Sequence, residues 1–401
     1  MNKKLMTLAV AGAFAAPAAA FAQASNVQIY GTAYIEYAYA KQGVGAAGQL
    51  NNTDLLQTPG SAIGFKGEEA LGGGLSAWFQ CESSMDFRGA GSQPQPEPAG
   101  TQNSGILCGR NSALGFKGSF GNVYAGNWDS PWKIYSPAII GTNETGALGL
   151  SGMLYGNSTS TNDNTSPIVF ERRQNNSLNY VSPTWSGFSA ALQISTPQTT
   201  TGITSNATVG KPRTIGIGLN YTNGPLIVSG SFEQHTNFAA LNGAGTQKGT
   251  TDQGYWGGIA YQFGPVKAGG VIAKRTFDGG CNVIVAACTG DGSVTTYGLN
   301  IDWAIAGPHE LKAAYVKANS TSGANAAGLV GNLVFNGGAG QTGGSQWEVE
   351  YLYNFSKRTR ISFGYTALNN DTNARYGLAG FTAPAAGQNQ SAFMTSIKST
   401  F

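Results

Sequence analysis

Charge is scarce in this chain. Asp, Glu, Lys and Arg make up 11% of its 401 residues, where soluble chains carry about 25%. Long apolar runs are scarce too. The mean hydropathy of -0.15 excludes a bundle of membrane helices, each of which needs about 20 apolar residues. There are two histidines, four cysteines and no CxxC pair. A net charge of +3 provides no basic stripe of the kind that nucleic acid requires, so no nucleic-acid partner is expected. Glycine is abundant instead, at 59 residues, roughly twice the usual share of about 7%. The 17 Tyr and 19 Phe argue against disorder. Low charge without greasiness is the average of a sheet with one face in lipid and the other in water.

Residues 1–22 read as an export signal. Lys3 and Lys4 form a basic start, Leu5 to Phe14 an apolar core, and Ala20-Phe21-Ala22 a small-x-small cleavage site. Ala22-Gln23-Ala24 is a second possible site. Residues 23–401 then form one mature domain. An exported chain meets oxidising conditions, so Cys81, Cys108, Cys281 and Cys288 are expected in disulfides. Four cysteines allow three pairings. The favoured one joins Cys81 to Cys108 and Cys281 to Cys288, each bridge closing one loop. A zinc site is the rival, with neither histidine near the cysteines, and no metal is expected.

Beyond residue 22 the apolar pattern has a period of two. Tyr255, Ile259, Tyr261 and Phe263 share one face, with Trp256, Gly258, Ala260 and Gln262 opposite. Tyr297, Leu299, Ile301 and Trp303 repeat the pattern, as do Trp347, Val349, Tyr351, Tyr353 and Phe355. This alternation is the strand signature of an outer-membrane barrel. Seven short connections, near 68–74, 118–121, 182–187, 222–225, 264–265, 304–309 and 354–358, alternate with eight long ones. The long ones fall near 40–60, 84–109, 127–169, 196–212, 235–252, 277–293, 320–345 and 369–389. Together they separate sixteen strands, an even count with short inner turns and long outer loops. Each descending strand should also end on an outward aromatic: Phe65, Phe116, Tyr180, Tyr221, Phe263, Trp303, Phe355 and Phe401. The predicted fold is all-β, a 16-stranded antiparallel transmembrane barrel. Residues 157–167 and 196–208 read as polar, low-complexity loop.

Specific motifs then enter. Ser61-Ala62-Ile63-Gly64-Phe65-Lys66-Gly67-Glu68-Glu69-Ala70-Leu71-Gly72-Gly73-Gly74-Leu75 resembles the first hairpin of general diffusion porins of β-proteobacteria and Neisseria, as does Val27-Gln28-Ile29-Tyr30-Gly31. Cys108-Gly109-Arg110 through Leu114-Gly115-Phe116-Lys117-Gly118, then Phe120-Gly121 and Ala125-Gly126, is similar to the next hairpin. Asn175-Asn176-Ser177, Tyr180, Ser182-Pro183, Gly187-Phe188, the turn Ser356-Lys357-Arg358-Thr359 and the terminal Phe401 extend the resemblance. It implies a trimeric outer-membrane channel for ions and small hydrophilic solutes, set in lipid and lipopolysaccharide, whose third long loop, 127–169, folds inward as the constriction.

Passive diffusion needs no nucleophile and no cofactor. It needs a wet lumen and a field at its narrowest point, made by charges of opposite sign. The resemblance places Arg110 at a wall-arginine position and expects another at Arg172 or Arg173, facing Asp129 and Glu144 on the loop, with Asp163 a lesser candidate. Glu36, Lys66, Glu82 and Lys117 have lumen parity. Ala62 and Asn127 stand where the family usually has arginine, so a weaker anion preference is expected. A hydrolase would need a histidine near a serine or an acid. His235 is expected at the start of an outer loop and His309 in an inner turn, too far apart to share a site, so no enzyme is expected. The alternative is a substrate-specific channel for a sugar or carboxylate, since Tyr30, Tyr34 and Trp78 also have lumen parity.

Overall fold

The computed structural model describes residues 27–44, 50–88, 107–140, 146–156, 169–197, 211–237, 251–278, 291–323, 327–330, 333–336, 340–381 and 383–401. Its strands begin with β1 (Gln28–Val44), β2 (Leu50–Gln57), β3 (Ala62–Gly72), β4 (Leu75–Ser84), β5 (Ser112–Gly118) and β6 (Gly121–Asp129). Two helices follow, α1 (Pro131–Ile139) and α2 (Ser151–Tyr155). Next come β7 (Arg173–Val181), β8 (Phe188–Ser195), β9 (Arg213–Asn223), β10 (Leu226–Thr236), β11 (Thr251–Phe263), β12 (Val266–Phe277), β13 (Gly292–Ala306) and β14 (His309–Ala318). The chain ends with β15 (Ala327–Val330), β16 (Leu333–Asn336), β17 (Gly344–Asn354), β18 (Thr359–Asn370) and β19 (Gln390–Thr400).

Every neighbouring pair is antiparallel, and β1 closes the sheet on β19 from Thr32↔Thr400 to Lys41↔Ser391. β2 and β3 share one position in the wall. β1 pairs with β3 through Gln28–Thr32 and with β2 from Glu36 onward. β15 and β16 pair only with each other. The result is a closed barrel of sixteen wall strands.

The two faces separate as the alternation predicts. Along β11, Tyr255, Ile259, Tyr261 and Phe263 are exposed on the outside, while Trp256 and Ala260 are buried inside. Along β13, Tyr297, Leu299, Ile301 and Trp303 face out and Asn300 faces in. The aromatic row at the short-turn end is present: Phe65, Phe116, Phe263, Trp303, Phe355 and Phe401 are exposed, and Tyr180 and Tyr221 are half-buried. Tyr180 Oη–H donates to the Phe120 carbonyl at 2.9 Å. Three of the short turns are Gly-Pro pairs, with Gly224, Gly264 and Gly307 at φ of 55°, 58° and 57°. A tight hairpin needs a positive φ at its first central residue, which glycine supplies without strain.

Two boundaries differ from the sequence reading. The connection expected at 40–60 is mostly strand, because β1 continues to Val44 and β2 pairs back along it. The real break lies at 58–61, where Ser61 Oγ bonds both the Tyr34 amide, at 2.9 Å, and the Tyr34 carbonyl, at 2.8 Å. The connection expected at 320–345 contains the β15–β16 hairpin. The export signal, the Cys281–Cys288 bridge, Glu144, Asp163 and residues 157–167 lie outside the described residues, as does most of 196–208.

Candidate functional site

After β6 the chain turns into the barrel. Pro131 opens α1, where a missing N–H leaves no bond unmade. Trp132, Tyr135, Ile139 and Ile140 are buried, and so are Ala147, Leu148, Leu150, Met153, Leu154 and Tyr155 farther on. α1 lies against β9 to β12 and α2 against β13 and β14. The contact is with the inner face, and glycine makes it possible. A Cβ on Gly254 would come within 3.0 Å of Phe170, one on Gly258 of Ile139, one on Gly298 of Ile140 and one on Gly364 of Leu148.

Polar anchors supplement this apolar seat. Ala147 N–H donates to Glu36 Oε1 at 2.8 Å. Thr296 Oγ1–H donates to the Leu154 carbonyl at 2.6 Å, and Arg275 Nη2 to the Met153 carbonyl at 3.3 Å. Gly146 packs so close to the Glu36 carboxylate that a Cβ there would collide with it.

Among the described residues the inserted segment packs mainly against β8 to β14, with a smaller contact on β6, and partly exposed charged side chains lie along the wall from β3 to β7. Two charge groups stand on that wall. In the first, Arg110 Nε–H donates to Glu82 Oε1 at 2.6 Å, and Tyr30 Oη–H donates to Glu82 Oε2 at 3.1 Å. Asn127 Nδ2 holds the Gly109 and Arg110 carbonyls at 3.0 and 3.1 Å. In the second, Arg173 Nη2 lies 3.2 Å from Asp129 Oδ1 and Lys133 Nζ 3.9 Å from the same oxygen. Asn111 links them, accepting from Arg173 Nε at 2.6 Å and donating to Asp129 Oδ2 at 2.7 Å. The Arg110, Glu82, Asp129, Arg173 and Lys133 side chains are each between 12% and 24% exposed, so solvent reaches all of them. Three cations therefore stand against two carboxylates.

The other candidate residues take different places. Arg172 is fully buried, its carbonyl accepting the Ser130 N–H at 2.9 Å. Glu36 is also fully buried. It accepts from Tyr34 Oη–H at 2.8 Å and from Gln57 Nε2 at 2.5 Å as well as from the Ala147 amide, so it holds the inserted segment to the wall. Lys66 lies over the Tyr30 ring, 5.0 Å from its centroid. Lys117 pairs with Glu68 near the short-turn end.

Asp129 stands at the end of β6 rather than out on the loop, because β6 continues to pair with Arg173 on β7. His235 is not at the start of a loop. It lies within β10, fully buried, 2.7 Å from Glu233 Oε1 and stacked on Phe170 at 4.4 Å. His309 opens β14 and lies 2.6 Å from Tyr351 Oη.

Sequence reasoning missed Lys133 and Asn111. Lys133 follows Asp129 by four residues, a spacing that pairs side chains on a helix. Asn111 had no such signal. The predicted bridge Cys81–Cys108 is formed, with Cα atoms 4.6 Å apart. It ties the residue before Glu82 to a residue two before Arg110.

Comparison with known proteins agrees with this architecture. A family model described as Gram-negative porin matches residues 7–373. The major outer membrane protein P.IB of Neisseria lactamica is 31% identical over 250 residues, covering 62% of this chain and 61% of that protein. The matched region thus spans about three fifths of the neisserial relatives. Outer membrane porin protein 32 of Delftia acidovorans is 27% identical over 410 residues, covering 100% of both chains. Among solved structures, the anion-selective porin from Comamonas acidovorans superposes with a TM-score of 0.68 at 22% identity, covering 94% of this chain and 100% of that one.

Proposed function

The chain belongs to the Gram-negative porin family, and from that premise we propose that it is a general diffusion channel with a mild preference for anions. It is a β-barrel of the Gram-negative outer membrane. Sixteen strands enclose a wide lumen, and the described parts of the inserted segment, 130–140 and 146–156, narrow it. Ions and small hydrophilic solutes pass along the β3–β7 wall. The observation that carries the selectivity is the pair of charge groups there, Arg110 with Glu82 and Arg173 and Lys133 with Asp129.

Each carboxylate is already matched by a cation on a neighbouring element, so the fields largely cancel. One positive charge is left over, and Lys66 adds another. At the ends of a narrow path such a balance favours anions weakly. The absence of arginine at Ala62 and Asn127 keeps that anion preference weak. The Comamonas neighbour's description as anion-selective supports the sign.

Residues 1–22 are assigned as the export signal, with cleavage after Ala22 or Ala24. Residues 23–401 are assigned as the barrel. Three barrels assemble in the membrane, in contact with lipid and lipopolysaccharide. No catalytic role is assigned.

Planar-bilayer recording tests the channel. Stepwise conductance is expected, with a reversal potential in a salt gradient displaced modestly toward the anion. Cation selectivity or a strong anion preference would overturn the charge balance, and a silent bilayer would overturn the channel itself.

A further inference from the structure

Between the charge groups and the short-turn end, three rings of β4 and β6 form a triangle. The Trp78, Tyr124 and Trp128 centroids are 5.3, 5.1 and 5.6 Å apart, with interplanar angles of 58°, 68° and 72°. Trp78 Nε1–H donates to Asn122 Oδ1 at 2.7 Å. That bond fixes the indole and leaves the Asn122 amide NH2 as a donor. Beside the rings is an open recess of about 600 Å³. Ser76, Lys117, Asn122, Tyr124 and Trp128 line it from the wall, and Ile134 of α1 borders it from the inserted segment. Gly118, Gly121 and Ser182, which flank the short turns, set it at the short-turn end of the barrel.

We propose that this recess is a subsite for the ring of a neutral sugar. It deepens the diffusion reading and rests on it only in requiring that solutes reach the lumen. Aromatic side chains that hold one another edge-on are pre-organised, so little ordering is needed when a solute arrives. Sites of this kind combine an apolar floor with a few placed polar groups. A pyranose matches both, with a C–H face for the partly exposed Trp128, which the buried Tyr124 ring backs, and a belt of hydroxyls for Asn122 and Lys117.

Charge decides against the other solutes. Lys117 is the one charged residue among the described lining residues, and Glu68 on β3 already pairs with it. The recess offers no uncompensated charge to a carboxylate or an ammonium group.

The test uses the folded full-length barrel in an amine-oxide detergent, chosen because it carries no sugar head group. Tryptophan fluorescence is followed while glucose is added, with gluconate as the charged control. Glucose should give a saturable change in the millimolar range, and gluconate should not. Trp128→Ala should weaken glucose binding about tenfold, while Trp128→Phe should retain most of it. Asn122→Ala provides a second variant that leaves the rings in place, and it too should weaken binding. A linear response to glucose, equal binding of gluconate, or unchanged affinity in both Trp128→Ala and Asn122→Ala would overturn the subsite. The titration needs no ion current, so failure of the channel reading in bilayers stays distinguishable from failure of the subsite.

Discussion

Among the described residues, the Arg110 side chain is held by its charged partner Glu82, through the 2.6 Å bond from its Nε. Removing it therefore does two things. It takes a cation from the passage and leaves Glu82 with a neutral partner, the Tyr30 hydroxyl. Arg110→Ala should move the reversal potential toward cations. It should also lower stability by about 1–3 kcal/mol, the range for a charged hydrogen bond lost from a partly buried site. Combining it with Glu82→Gln should restore most of the parent selectivity, because the double variant loses one charge of each sign. Salt-gradient recordings on the three proteins, with heat-denaturation midpoints, decide this. Unchanged selectivity in Arg110→Ala would remove the residue from the selective part of the path. Asn127 stands where a further arginine was expected, and its amide supports the Arg110 backbone.

At the scale of elements, the inserted segment is seated on glycine. Gly298 on β13 faces Ile140 and Leu154, and Gly258 on β11 faces Ile139. Gly298→Val would drive a branched side chain into that interface. The expected cost is about 1–3 kcal/mol, as for other overpacked cores, together with larger or noisier unit conductance as the segment lifts off the wall. Gly257→Val is the control. Nothing lies within 4 Å of a Cβ placed at Gly257, so its effect should stay within about 0.5 kcal/mol. Bilayer recording and thermal unfolding of both variants separate a specific seat from a general dislike of substitution. The Cys81–Cys108 bridge acts at the same scale, tying the end of β4 to the stretch that carries Arg110. The strand rhythm was legible because lipid and water sort alternate residues. The seat was not, since a glycine that admits a distant loop looks in sequence like one that makes a turn.

For the whole molecule, the outer surface of the isolated barrel carries an apolar band, which is what lipid demands, and the exposed Lys41, Arg213 and Lys317 stand on the same face toward the long-loop ends of their strands. Ile29, Leu114, Leu178, Leu219 and Leu299 are all more than half exposed. Assembly would cover part of this surface, and the small Ala33 on β1 would permit close approach of barrels there, whereas Gly31 is already covered by the Phe401 ring. The expected product is a trimer that resists detergent until heated. Mass measurement in detergent, with unheated and heated electrophoresis side by side, checks it. A monomer under all mild conditions would overturn the trimer and leave the channel reading intact.

The sequence by itself determined the barrel. Period-two alternation, paired short and long connections and an aromatic before each short turn follow from one physical demand, that every strand cross the membrane with its backbone bonds satisfied by neighbours. It also offered Glu82 as a candidate through lumen parity and Arg110 and Arg173 through the family resemblance, while setting Asp129 out on the loop instead of at the end of β6. Only the tertiary structure decided how those charges combine. Glu82 and Arg110 are 28 residues apart, and Arg173 and Asn111 62 residues apart. Their pairing depends on strand register. The same holds for Glu36, which parity alone places in the lumen as a bare acid. The fold closes it over with the Ala147 amide, and burial turns a lining charge into an anchor.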